Sequence, residues 1–420
     1  MIPYLVEHNR YLALIGIAVV VAVAVSFSHN KRAINIRQII NCLVLEFLIA
    51  LALLKTGLGH RVMQALVIGV NKLYYCADQG IGFVFGNLAD DGPWGIIFAV
   101  KVLPAIIFFS AMTALLFHAG IIQRTVNGLS WIMRPLLRTS GAETLCATAN
   151  SFLGQTEAPL LIRHYLPELT TSELAVVMVS GMATISGAIL VIYAGWGVPA
   201  QHLIASSLMA IPGSILIAKL LVPETQEPRT ANGAQATFEH KTCNAFDALA
   251  VGTMEGLHIA LAIGAMLISF VALLALFNYL LGYSMYQLNF VLAYFKLSWR
   301  LPELTLQMLF GYLFTPIAYL LGLTGNEATI GAQLIGTKVA VNELVAFGQL
   351  VHSTLSERTV AILTYALCGF SNFSCIGIQL GGIGPLAPNR RATMTQLGLY
   401  AVLGGTLANL LGACIAALLL

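Results

Sequence analysis

Runs of about 20 apolar residues recur along this chain, and each is long enough to cross a lipid bilayer as a helix. Seven are clear and an eighth is interrupted by polar residues; in chain order they are 11–28, 38–54, 94–120, 174–196, 202–222, 258–281, 358–382 (the interrupted run) and 396–420. Charged residues make up only 9% of the chain, whereas a soluble domain carries about a quarter. The pattern therefore predicts an all-α polytopic membrane protein with eight crossings.

Basic residues orient these crossings. Lys31, Arg32 and Arg37 follow the first run directly, and such clusters stay in the cytoplasm. We therefore interpret the first run as a retained span and not as a cleaved signal peptide. This places both chain ends outside, and it places Arg390 and Arg391 inside, as the same rule requires. The net charge of +3, with no basic face, gives no indication of a nucleic-acid partner.

An internal repeat is the most informative motif. The first copy reads GQTEAP (154–159), TSEL (171–174) and GMATISG (181–187), and the second reads AVNELV (340–345), LSER (355–358) and GFSNFSC (369–375). Three crossings separate the two copies. Because that number is odd, the copies are predicted to be inverted, as in many alternating-access transporters.

Glu157 and Glu343 lie in segments that are apolar but too short and too broken to span. We predict two re-entrant hairpins, each made of two half-helices that meet at a polar tip, because irregular backbone at membrane depth must face protein or a watery cavity. A charge there costs roughly 3 kcal/mol on insertion scales, so each acid needs a partner or a ligand. The alternative is a solvated glutamate at the lipid surface, which the repetition of the motif disfavours.

Thr184 and Asn372 occupy equivalent places in the two copies when the glycine motifs are aligned. Glycines around them predict broken helices that expose carbonyl groups to ligands; a packing motif of small residues is the alternative. Glu46 and Lys101 are two further charges within apolar runs, and we expect them to pair with each other.

These features favour a carrier of a small polar solute over two other classes. A membrane-embedded enzyme lacks support, since the sequence has no HExxH zinc motif and no phosphate-binding loop. A passive channel is a third option, since polar hairpins from both sides suit gating, but a channel would not need so specific a set of polar residues. The seven cysteines are scattered without C-x-x-C spacing, which predicts reduced, buried thiols.

Three segments resemble the signature of the concentrative nucleoside transporter family: GQTEAP, GTKVAVNELVAF (336–347) and LCGFSNFSCIGI (367–378). The likeness extends from about residue 30 to the C-terminus. It implies a homotrimer with eight spans per protomer, two oppositely oriented hairpins, and a transport domain that moves against a trimeric scaffold. It also implies a symporter that imports nucleosides, uridine for example, on a cation gradient across a bacterial inner membrane. A proton-coupled nucleoside or nucleobase carrier remains the alternative.

The same resemblance implies roles for individual residues. Gln155, Thr156 and Glu157 would face the nucleobase, with Ile189 packed against it, and Glu343 and Asn372 would bind the ribose hydroxyls beside Phe370. Cys375 stands where the family usually has serine, and a thiol is the weaker hydrogen-bond donor. The coupling ion would be Na⁺, held by Asn150, Thr184 and the carbonyls of Leu153 and Ile185.

The chain is expected to divide into four parts along its length. Residues 1–135 would form scaffold spans and an interfacial helix, and 136–222 the first repeat. Residues 223–322 would hold a cytoplasmic loop, a scaffold span and interfacial segments, and 323–420 the second repeat. The sequence does not assign the segment 285–322 to a span or to a loop, because Trp299, Arg300 and Pro302 interrupt its apolar stretches.

Overall fold

The computed structural model describes residues 7–89, 97–231, 234, 242–295 and 304–420. The regular elements within these ranges are all helices. The start of the third predicted run and the interrupted stretch around Trp299 lie outside the described residues. Helices of nine or more residues are numbered in chain order. The first nine are α1 (Arg10–Ser26), α2 (Ile36–Lys55), α3 (Gly57–Phe85), α4 (Leu103–His118), α5 (Ile121–Leu137), α6 (Gly141–Asn150), α7 (Thr171–Ala183), α8 (Gly187–Gly195) and α9 (Ala200–Leu221), and a four-residue helix, Phe98–Lys101, precedes α4.

Seven further helices of nine or more residues follow in the described chain. They are α10 (Ala245–Tyr294), α11 (Leu306–Leu320), α12 (Gly325–Ala340), α13 (Glu343–Val351), α14 (Glu357–Leu367), α15 (Phe373–Gly382) and α16 (Arg391–Leu419). The two predicted broken helices are present. Three residues lie between the end of α7 and the start of α8, and five lie between α14 and α15. Side chains cap the restart of both helices: Ser186 accepts from the Ile189 amide and Asn372 from the Cys375 amide.

Six helices in the described ranges are long and apolar enough to cross a bilayer, and a pair bent by 119°, Met308–Leu320 with Gly325–Ala340, brings the number to seven. The protein is therefore a polytopic helical membrane protein. Two of the eight predicted crossings correspond to shorter helices, α1 and the broken pair α14 and α15. The count of eight stays a prediction.

The last helix, α16, shows how the two broken helices run. Arg390 at its start donates to the carbonyl of Leu169, just before α7, and Asn409 donates to the carbonyl of Ala183, where α7 ends. Along the opposite direction, Arg358 at the start of α14 donates to the carbonyl of Ala417. The helices α7 and α14 therefore approach Asn409 from opposite ends of α16, which is the relation that an inverted repeat requires.

The limbs of the first predicted hairpin differ from expectation. Its first limb is α6, but its second limb consists of two 3₁₀ turns, Ala158–Ile162 and Leu166–Glu168. Pro159 and Pro167 stand at the starts of these turns, and a proline supplies no amide hydrogen for a continuous α-helix. The segment predicted to form the second hairpin consists of two consecutive α-helices, α12 and α13.

The predicted pairing of Glu46 with Lys101 is wrong. The Lys101 ammonium lies 2.7 Å from the carboxylate of Asp78 and donates to the carbonyl of Ala89 at 2.8 Å. Glu46 is buried against Gly213 of α9, where a Cβ would come within 2.9 Å of its carboxyl group. Apolar periodicity places both residues in spans but carries no information about which helices become neighbours.

Candidate functional site

The two helix starts of the second repeat meet at a carboxylate. Glu343 is the first residue of α13, where the helix dipole favours a negative group. Its Oε2 accepts a hydrogen bond from Asn372 Nδ2 at 3.0 Å. Asn372 uses its Oδ1 to cap α15, accepting from the Cys375 amide at 3.0 Å. Both residues are buried, so hairpin and broken helix are joined by a hydrogen bond shielded from water.

A side chain from the first repeat reaches this cluster. Gln155 Nε2 donates to Cys375 Sγ at 3.3 Å, so the thiol serves as an acceptor between the repeats. Gln155 Oε1 is buried and accepts no hydrogen bond from the described residues. The methyl group of Thr156 lies so close to Gly382 that a Cβ there would clash at 2.3 Å. The predicted residues of the two repeats are therefore neighbours in the folded chain.

Glu157 and Ile189 occupy a second environment. They line a cavity of about 250 Å³ between α4, α10 and the first repeat, together with Leu153, Ser186 and Glu255. The Glu157 carboxylate accepts from the Gly154 amide at 3.2 Å. Glu343 and Asn372 do not line this cavity. The predicted substrate residues thus divide into a closed cluster of bonded polar groups and an open cavity wall.

The four residues predicted to hold a cation lie where α6 ends and where α7 breaks. Asn150 Nδ2 and the Thr184 hydroxyl both bond to Ser180, the first at the hydroxyl (3.0 Å) and the second at the carbonyl (2.9 Å). All four residues are buried. Within the described residues, no hydrogen bond reaches Asn150 Oδ1 or the carbonyls of Leu153 and Ile185.

This donor set fits a hard monovalent cation. A buried oxygen without a partner costs about 1–3 kcal/mol, and three such oxygens around one helix break provide neutral, hard ligands. The described residues hold no group of three or more His, Cys, Asp and Glu side chains arranged for a metal ion. These neutral oxygen ligands therefore suit an alkali ion better than a transition metal.

The register of the repeat differs by two residues from the glycine alignment. Thr184 follows the end of α7, whereas Asn372 precedes the start of α15, so the two are not equivalent. The counterpart of Asn372 is Ser186, and each cap follows its hairpin acid by 29 positions (157 to 186 and 343 to 372). The break between α14 and α15 is two residues longer than the break between α7 and α8. Because of this difference, aligning the glycines of the two copies pairs Thr184 with Asn372 incorrectly.

Sequence reasoning overlooked several residues around these sites. Ser180 joins the two predicted ion ligands, and the ring of Tyr193 packs on Phe347 at 4.3 Å between centroids, with its hydroxyl near Glu343. Lys338 donates a hydrogen bond to Asn409, and both residues are buried beside the break between α14 and α15. Lys338 could have been found, because a lysine inside an apolar segment is costly wherever it lies.

Comparison with known proteins places the chain in a family. Three family models cover most of its length: the N-terminal part of the Na⁺-dependent nucleoside transporters matches residues 15–88, a nucleoside-recognition gate matches 99–199, and the C-terminal part of the same transporters matches 202–417. The chain belongs to the concentrative nucleoside transporter family. It is accordingly a transporter and not an enzyme.

Individual members of this family resemble the chain over almost its whole length. An uncharacterised transporter of Haemophilus influenzae is 43% identical, with 97% of each chain covered. The nucleoside permease NupC of Helicobacter pylori is 39% identical, with 98% of each covered. The solved structure of CNTnw in an inward-facing, substrate-bound state is 38% identical, with a TM-score of 0.88 and 97% of each chain covered.

Proposed function

We propose that this chain is a secondary active symporter that imports nucleosides on an inward Na⁺ gradient by alternating access. The observation that carries the proposal is the meeting of both repeats at one polar cluster, where Gln155 contacts Cys375 at 3.3 Å and Glu343 contacts Asn372 at 3.0 Å. A nucleoside is neutral but rich in donors and acceptors. A pocket with amide and carboxylate groups from two sides can satisfy both its base and its sugar.

We assign the substrate roles that the resemblance to the family implies. Glu343 and Asn372 bind the ribose hydroxyls, because their mutual hydrogen bond presents a carboxylate and an amide together. Phe370 lines the pocket on the same side. Gln155, Thr156 and Glu157 face the base, and Ile189 packs against it. The sulfur of Cys375 accepts a hydrogen bond from Gln155. The role of Cys375 is therefore to position the Gln155 amide that hydrogen-bonds to the base.

The coupling ion is Na⁺, and it binds at the break of α7. Asn150 Oδ1 and the carbonyls of Leu153 and Ile185 provide oxygens that no described protein group occupies, and Thr184 adds a hydroxyl lone pair. One charge that moves inward with a membrane potential of 100 mV contributes about 2.3 kcal/mol. That amount corresponds to a concentration ratio of roughly 50-fold.

The moving parts are the two repeats, residues 136–222 and 323–420. We assign α4 and α10, which pack on each other, to a scaffold that forms the centre of a homotrimer. Residues 1–135 contribute α4 to it, and residues 223–322 contribute α10. Each protomer would cross a bacterial inner membrane eight times and carry two re-entrant hairpins. The predicted topology puts His118 and Thr242, which line the cavity beside Glu157, at cytoplasmic ends of the chain, so we infer that this cavity opens toward the cytoplasm.

Uptake of labelled uridine into proteoliposomes tests the proposal. Separate preparations carry an inward gradient of Na⁺, of K⁺ or of protons. We expect accumulation above equilibrium with the Na⁺ gradient alone. Accumulation that only a proton gradient drives would replace Na⁺ as the coupling ion. Movement of uridine only down its own gradient under every condition would exclude secondary active transport.

A further inference from the structure

Lys338 is a buried lysine whose hydrogen-bond partners are neutral groups. It lies in the last turn of α12 and is 1% exposed. Its Nζ donates to the carbonyl of Ala366 at 2.9 Å and to Asn409 Oδ1 at 2.6 Å. Within the described chain, no carboxylate lies within salt-bridge distance of it. A buried charge is normally paired with an opposite one, so this arrangement calls for a functional explanation.

The position of this ammonium mirrors the proposed ion site. In the first repeat, the ion ligands join the last turn of the hairpin helix α6, at Asn150, to the residue that follows α7, at Thr184. In the second repeat, Lys338 projects from the last turn of α12 and bonds to Ala366, in the last turn of α14. Each repeat therefore has a place for one positive charge between its hairpin and its helix break.

Asn409 connects the two places. Its Nδ2 donates to the carbonyl of Ala183 at 2.7 Å and to the carbonyl of Cys368 at 2.9 Å, so it holds both breaks at once. Its Oδ1 accepts from Lys338 at 2.6 Å. The Phe370 amide also donates to the Thr184 carbonyl at 3.3 Å. A change at one break is thereby transmitted to the other through buried hydrogen bonds.

We propose that the ammonium of Lys338 is a tethered cation that occupies the second repeat's counterpart of the ion site. It holds the second hairpin against α14 and supplies positive charge near Glu343, as the mobile ion does for the first hairpin. The proposal rests on the proposed ion site of the first repeat. It explains a chemical asymmetry of the repeat, since one half needs a diffusible cation and the other carries its own.

Two substitutions test this role. Lys338→Gln keeps a group that can donate to both Ala366 and Asn409 but removes the charge. Lys338→Ala removes the charge and leaves space for a small cation. We expect the glutamine variant to lose at least about tenfold in uridine affinity, equivalent to about 1.4 kcal/mol, while it remains folded. We expect the alanine variant to regain uptake when methylammonium is added.

The dependence on Na⁺ gives a third readout. In the alanine variant, a second Na⁺ can enter the vacated place, so the Hill coefficient for Na⁺ should rise from about 1 toward about 2. Lys219→Met serves as the matched control, because Lys219 is also buried but pairs with Glu143 at 2.8 Å. Loss of that ammonium should destabilise the fold without any response to methylammonium.

The outcomes separate this inference from the proposed function. A uridine affinity equal to that of the wild type in Lys338→Gln would overturn the tethered-cation role. This test is valid even if the alanine variant fails to fold. An alanine variant that folds and shows neither methylammonium rescue nor a steeper Na⁺ dependence would overturn it as well. If wild-type uptake ignores Na⁺, the ion assignment fails, whereas the glutamine affinity and the methylammonium response still report on Lys338.

Discussion

Replacement of Glu343 by glutamine examines the ribose site with almost no change of shape. The carboxylate stands at the start of α13 and accepts from Asn372 at 3.0 Å. A hydrogen bond to a charged group contributes about 1.5–3 kcal/mol and one between neutral groups about 0.5–1.5 kcal/mol. Each ribose hydroxyl that binds the carboxylate therefore loses about 1–1.5 kcal/mol. With two hydroxyls the loss is about 2–3 kcal/mol, or roughly 30- to 150-fold in Kd.

Calorimetric titration of the purified protein with uridine, at saturating Na⁺, measures this loss. The same titration with 2′,3′-dideoxyuridine adds a thermodynamic cycle. We expect the wild type to prefer uridine strongly and the preference of the Glu343→Gln variant to be smaller by roughly 30- to 150-fold. Glu357→Gln is the control, because Glu357 is exposed on the neighbouring helix start and should leave both affinities unchanged.

Two results would refute the reasoning about Glu343. One is a uridine affinity within about threefold of the wild type. The other is an equal loss for both ligands, which would mean that the carboxylate stabilises the pocket and does not contact the sugar. Thermal unfolding of each variant in detergent separates loss of binding from loss of fold.

Three further predictions concern the ion ligand Asn150, the thiol of Cys375, and the packing of Gly369 against Asn409 between the two helix breaks. Asn150→Ala should raise the Na⁺ concentration for half-maximal uptake about tenfold, if one ligand oxygen is worth about 1.4 kcal/mol; an unchanged Na⁺ dependence would place the ion elsewhere. Cys375→Ser should preserve or improve uridine affinity by calorimetry, and an inactive variant would contradict the assigned register. Gly369→Ala would bring a Cβ to 2.4 Å from the Asn409 side chain, so thermal unfolding should show a loss of about 1–3 kcal/mol. Gly377→Ala, which meets nothing within 4 Å, is its control, and equal stability of the two would exclude the clash.

The sequence allowed the crossings and the helix breaks to be predicted because both depend on local composition. Residues 174–196 form an apolar run whose middle is a Gly and Ser motif, and α7 and α8 meet there. The signature segments led to the prediction that Gln155, Glu343 and Asn372 bind one substrate. In the structure Asn372 contacts Glu343 at 3.0 Å and Gln155 contacts Cys375 at 3.3 Å, and the substrate roles of these residues stay a prediction.

Partners across helices could not be predicted in the same way. Glu46 packs on Gly213 and Lys101 pairs with Asp78, and both neighbours are set by the tertiary arrangement of spans that look alike in sequence. Asn409 has an ordinary place in a long apolar helix. Its role emerges only because two breaks from opposite directions arrive at the same side chain.

Reciprocal linkage between Na⁺ and uridine tests the central claim most directly. If the ion site at the first break and the substrate site are joined through the contacts between the breaks, each ligand must raise the affinity of the other by the same factor. We predict that calorimetry on the wild-type protein gives equal factors well above 1 in the two directions, and that Asn150→Ala reduces both factors toward 1. Uridine binding that is independent of Na⁺ in the wild type would contradict a coupled symporter.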